Sequence, residues 1–65
     1  MSREGAITEY VEATRALQSI RGQEAIAADL PGYDAALRAA KARLKAAALP
    51  LNGSDLGEAR RRLML

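Results

Sequence analysis

Eight apolar residues, Ile26, Leu30, Tyr33, Leu37, Ala40, Leu44, Ala47 and Leu51, recur at spacings of 4, 3, 4, 3, 4, 3 and 4. Only a helix turns that period into one continuous stripe, because a strand would need a period of two. In its second half the ladder alternates large and small residues, and alanine at every other rung lets a facing helix approach closely. Pro31 interrupts it and must either kink the helix or sit in its first turn. The expected helix therefore starts near Leu30 or Pro31, runs over about 31–48 and stops at Pro50. Residues 23–29 are left as a short separate helix or as the end of the first one.

The segment before the ladder is also helical in pattern. Ile7, Tyr10, Val11, Thr14 and Leu17 follow 3-and-4 spacing behind a possible Ser2 cap, with Glu4 in the first turn. This predicts a helix over about 3–21, with Gly22 either its C-terminal cap or a weak point in a longer helix. After the turn signal Leu49-Pro50-Leu51-Asn52-Gly53-Ser54, residues 55–64 read as a short helix. Asp55 and Glu58 fit a capping box there, and Arg60, Arg61 and Arg62 suit the helix C-terminus. Leu56 and Leu63 lie a heptad apart, and the apolar end Leu63-Met64-Leu65 is expected to tuck against something. With only three Ile and one Val, no segment has the β-branched alternation of a strand. The fold class expected is all-α: an antiparallel helical hairpin plus a short C-terminal helix, one domain over 1–65, completed by oligomerisation into a small bundle.

That last expectation comes from the kind of apolar residue present. Fifteen of the 32 hydrophobic residues are alanine, and Phe and Trp are absent. A chain of 65 residues buries only about 60% of its unfolded surface even when compact, so its core is marginal. Without Cys or His it has no disulfide, thiolate site or imidazole site to add. Self-association or docking on a larger partner is the remaining route. A homodimer, with one larger protein as a further partner, is the expected assembly. The ladder is longer than the clean stripe of the first helix, which stops near Leu17. Tyr10, Leu30, Tyr33, Leu37 and Leu44 are therefore the candidate contact residues, the two tyrosines pairing an apolar body with a polar tip.

The same absences restrict chemistry. No Cys–His or Ser–His pair can form, and Lys41 and Lys45 lie far in sequence from Ser2, Ser19 and Ser54. Neither an enzyme nor a cofactor or metal site is expected. Charge is uneven: residues 1–33 carry three basic and five acidic groups, and residues 34–65 carry seven and three. An acidic first helix and a basic second one would attract along their flanks. Arg38, Lys41 and Lys45 share a stripe, and together with Arg60, Arg61 and Arg62 they are the candidate nucleic-acid contacts. The small net charge of +2 and the lack of interleaved aromatics count against that use.

The sequence thus points to a small non-catalytic protein–protein interaction protein. It would be an adaptor, an inhibitor or antiactivator of a larger bacterial protein, or a minor component of a phage or other assembly. A basic-tailed nucleic-acid-binding regulator is the alternative. No run of 18 apolar residues spans a membrane, and Met1-Ser2-Arg3-Glu4-Gly5 lacks the layout of a signal peptide. A bacterial or phage-infected cytoplasm is the expected location, the usage of Ala, Arg, Gly and Leu fitting a GC-rich genome.

Overall fold

The structure, a computed structural model, describes residues 2–27 and 30–64. Four helices follow one another: α1 (Arg3–Gly22), α2 (Glu24–Ala27), α3 (Tyr33–Ala48) and α4 (Gly53–Met64). The chain is all-α, with no strand among the described residues.

Ser2 caps α1 from an extended backbone, its hydroxyl oxygen accepting from the Gly5 N–H at 3.1 Å, with Glu4 in the first turn. Ile7, Val11 and Leu17 are buried along its stripe, and Tyr10 and Thr14 are half-buried. Ala13 is fully buried as well, a position the large-residue pattern does not reveal. Gly22 is the last helical residue rather than a left-handed cap. The following Gln23 has φ −93° and donates its N–H back to the Arg21 and Ile20 carbonyls. Gly22 thus marks the weak point at which the helix bends and resumes as α2. Of the short helix expected over 23–29, residues 24–27 are helical, and 28 and 29 lie outside the described residues.

α3 begins at Tyr33, later than the expected start near Leu30 or Pro31. Gly32 holds φ at +89°, a left-handed conformation that no right-handed helix can pass through. Pro31 lies in the turn before it. The first two rungs of the ladder are lost as a result, with Ile26 85% and Leu30 59% exposed. From Tyr33 onward the ladder holds. Ala40 and Ala47 are buried, whereas Tyr33, Leu37, Leu44 and Leu51 are half-buried, so the alanine rungs are the close-approach points.

α4 begins at Gly53, earlier than the expected 55, because Asn52 and not Asp55 is the cap. The Asp55 N–H donates to Asn52 Oδ1 at 2.9 Å, and Asp55 Oδ2 accepts from the Asn52 N–H at 3.4 Å. The capping box is therefore Asn52 with Asp55. Glu58 has a different role and pairs with Arg61 and Arg62. At the far end Leu63 packs inward, but Met64 is 86% exposed, so the tucked apolar tail does not extend to it. Leu65 lies outside the described residues.

α1 and α3 form the antiparallel hairpin. The Tyr33 hydroxyl donates to the Ile20 carbonyl at 3.4 Å at one end, Arg43 meets Glu9 midway, and Ala6 lies beside Ala47 and Pro50 at the other. α4 runs in the same sense as α1: Arg3 pairs with Asp55 at its start, and Arg15 donates to the Arg62 carbonyl near its end. Ile7, Val11 and Ala59 make the small buried cluster between them, with Tyr10, Leu51 and Leu63 packed against it.

Both α3 and α4 pack on α1, while they hardly touch each other. A closed three-helix bundle would bring all three together. Here they form a row, with principal extents of 38 × 23 × 15 Å. The radius of gyration is 13.0 Å, against about 11 Å for a compact chain of this length. Among the described residues no large side chain is fully buried. No described helix is long and apolar enough to cross a membrane.

Candidate interaction face

A single row of helices has two faces, and the ion pairs made by Arg43 and Arg62 mark one of them, whereas Arg3, which pairs with Asp55, lies about 20° round α1 from Tyr10. Arg43 Nε donates to Glu9 Oε1 at 2.6 Å and Arg43 lies 3.9 Å from Glu12, joining α3 to α1. Arg62 lies 2.7 Å from Glu4 and 3.4 Å from Glu58, joining α4 to α1. At about 100° per residue, Glu4, Glu12 and Arg15 project from the same side of α1. Both flanking helices are thus pinned along one surface of the row.

The leucines lie on the opposite surface. Leu37 and Leu44 are roughly 100–120° round α3 from Arg43, and Leu56 and Leu63 roughly 100–160° round α4 from Glu58 and Arg62. Tyr10 and Leu17 are likewise roughly 120–160° round α1 from Glu4, Glu12 and Arg15. The second face therefore carries Tyr10 and Leu17 along its centre, Leu37 and Leu44 on one flank, and Leu56 and Leu63 on the other. Of these, all except Leu17 are only half-buried.

The structure brings Tyr10, Leu37 and Leu44 together on this face. Leu30 is exposed in the turn before α3, and Tyr33 is half-buried at the same end, its hydroxyl held by Ile20. Leu56 and Leu63 belong to the face although they are not among the expected contact residues. Their heptad spacing was the available signal, but spacing within α4 does not say which side of α1 they reach.

The basic residues divide by partner. Arg38, Lys41 and Lys45 are exposed and follow the leucines along the outer border of α3, with Asp34 one turn before them. Arg60 is exposed on the outer border of α4. None of these five has an ion pair among the described residues. Arg61 and Arg62, by contrast, are engaged, Arg61 by Glu58 at 2.6 Å and Arg62 by Glu4 and Glu58. Successive residues point about 100° apart, so the Arg60–Arg61–Arg62 run does not form one patch.

Electrostatics follow these contacts. The hydrogen bond from Arg62 lowers the pKa of the Glu4 carboxyl, and that from Arg43 lowers Glu9. The same bonds raise both guanidinium groups, Arg43 through Glu9 and Arg62 through Glu4. Among the described residues no group of three or more His, Cys, Asp or Glu converges as a metal site. The depression between the first turns of α1 and α4 is lined by Ile7, Ser54 and five charged residues, Arg3, Glu4, Glu58, Arg61 and Arg62, and these five are all in ion pairs. Against protein-family models, curated proteins and solved structures, the chain has no match.

Proposed function

We propose that this chain is a small non-catalytic protein–protein interaction module, and that its leucine face is the contact surface. One observation carries the reading. The accessible surface is 4719 Å², against about 4,000 Å² for a compact chain of this mass. The three long helices lie in a row instead of closing into a bundle, which leaves more surface uncovered than a compact chain has, and the half-buried leucines lie on one side of that row.

Such a module fits an adaptor, an inhibitor of a larger protein or a minor component of an assembly, and in each role the act is contact. A nucleic-acid reading has to rest on Arg38, Lys41 and Lys45 along one helix with Arg60 on another, since Arg61 and Arg62 are held by carboxylates.

The experiment is binding of an environment-sensitive apolar dye at high dilution, with a variant carrying Leu37→Gln, Leu44→Gln and Leu56→Gln as the control. The native chain is expected to bind dye, and the variant to keep its helicity while losing most of that binding. A native chain that binds no dye and stays monomeric at every concentration contradicts the reading.

A further inference from the structure

The leucine face has a charge pattern of its own. Along α1 and the inner sides of α3 and α4, the carboxylates of Glu4, Glu9, Glu12 and Glu58 are all turned to the reverse face and engaged by Arg43, Arg61 and Arg62. The borders of the leucine face are left with Arg38, Lys41 and Lys45 on one flank and Arg60 on the other, offset among the described residues by Asp34. An apolar strip is therefore edged on both sides by cations that have no ion pair among the described residues.

We infer that the occupant of this face is an acidic amphipathic helix of a partner protein, lying along α1 between α3 and α4. This inference rests on the interaction-module reading and specifies its partner. Three observations select that occupant. The strip runs along a 20-residue helix and is walled by helices that hardly touch each other, so a fourth helix completes a bundle. Apolar positions at helical spacing on such a partner would meet Tyr10, Leu37, Leu44, Leu56 and Leu63. Carboxylates flanking that apolar stripe would meet Lys41 and Lys45 on one side and Arg60 on the other. A second copy of this chain would bury similar area but would set two cationic borders against each other, which charge complementarity disfavours.

The test uses the full chain and two synthetic three-heptad peptides with the same leucine seam. One peptide carries Glu and the other Lys at the positions flanking the seam. Binding is measured by fluorescence anisotropy at low and physiological salt, alongside the sedimentation of the chain alone. A second form of the chain carries Arg38→Glu, Lys41→Glu and Lys45→Glu, all at exposed sites, with helicity checked by circular dichroism. The acidic peptide is expected to bind at least about tenfold tighter than the basic one at low salt, with a smaller margin at physiological salt. The charge-reversed chain is expected to lose or invert that preference. Equal binding of both peptides, unchanged in the variant, overturns the acidic partner while leaving the face as a helix-docking surface. Failure of both peptides to bind a chain that sediments as a dimer overturns it in favour of a second copy. Failure of both to bind a monomeric chain overturns the interaction-module reading as well.

Discussion

The Arg3 guanidinium and the Asp55 carboxylate join the first turn of α1 to the first turn of α4, across 52 positions of sequence. Asp55 is the one buried charged residue among those described, and the same carboxylate closes the Asn52 capping box. A single side chain therefore starts one helix and anchors it to another. Replacing it should disturb both functions at once. Asp55→Ala is expected to cost about 1–2 kcal/mol in urea unfolding, with Arg3→Ala costing clearly less because the arginine is mostly exposed and its pair is screened. Equal losses in the two variants would mean that the cap contributes nothing beyond the ion pair.

Ala59 should resist enlargement. It is fully buried between Ile7 and Val11, where α4 lies on α1. Ala59→Leu would push the helices apart at an expected cost of about 1–3 kcal/mol. Ala39→Leu, on the exposed side of α3, should change stability by less than about 0.5 kcal/mol. Thermal unfolding of the two variants side by side provides the comparison.

Two glycines should respond with opposite signs. Gly32 sits at φ +89°, so Gly32→Ala strains the turn that starts α3 and should destabilise by about 1 kcal/mol. Gly57 lies inside α4 with open space around its Cα, so Gly57→Ala should stabilise by about 0.5–1 kcal/mol. Loss of stability in both would place Gly57 against a neighbour.

Acid should weaken the charged face. Glu4 and Glu9 have folded pKa values below the ordinary 4.5 because Arg62 and Arg43 donate to them. Their contribution is thus complete above the unfolded value and is lost as pH falls through the lower folded value. The melting temperature should decline below about pH 4.5, and less steeply in a Glu4→Gln, Glu9→Gln double variant. Identical slopes in the two proteins would show that these pairs add nothing to folding. Both carboxylates are exposed, so the effect should be small.

Much of the fold is legible in the residues, for reasons that can be stated. The Ser2 cap, the stripe through Ile7, Val11 and Leu17 and the ladder from Tyr33 to Leu51 are all local periodicities, and local periodicity is what a sequence displays directly. The hairpin follows from Pro31-Gly32 between two helices, although the left-handed Gly32 moves the start of α3 past Leu30. Asn52 was hidden as the cap because Asp55 three residues later offers the same chemistry. Ala13 and Ala59, the most deeply buried positions, were hidden because alanine gives no pattern on a chain so rich in it.

The candidate face was only half legible. Leu37 and Leu44 stand out in the ladder, but their common side with Leu56, Leu63 and Tyr10 depends on which way α4 folds back along α1. That direction is visible in the pairs Arg3–Asp55 and Arg62–Glu4 and in the packing of Ala59 on Ile7 and Val11, contacts between residues far apart in sequence. The basic residues behave likewise. Arg60, Arg61 and Arg62 look equivalent as a run, and only the placement of Glu4 and Glu58 separates Arg60 from the two that are engaged.

Amide chemical-shift mapping of the isotopically labelled chain with the acidic helical peptide tests the account most directly, because it reads which side of the helical row is covered. Shifts are expected to concentrate at Tyr10, Leu37, Leu44, Leu56 and Leu63, leaving Glu9, Glu12 and Arg43 unmoved. Shifts gathered instead around Glu9, Glu12 and Arg43, or none at saturating peptide, would contradict it.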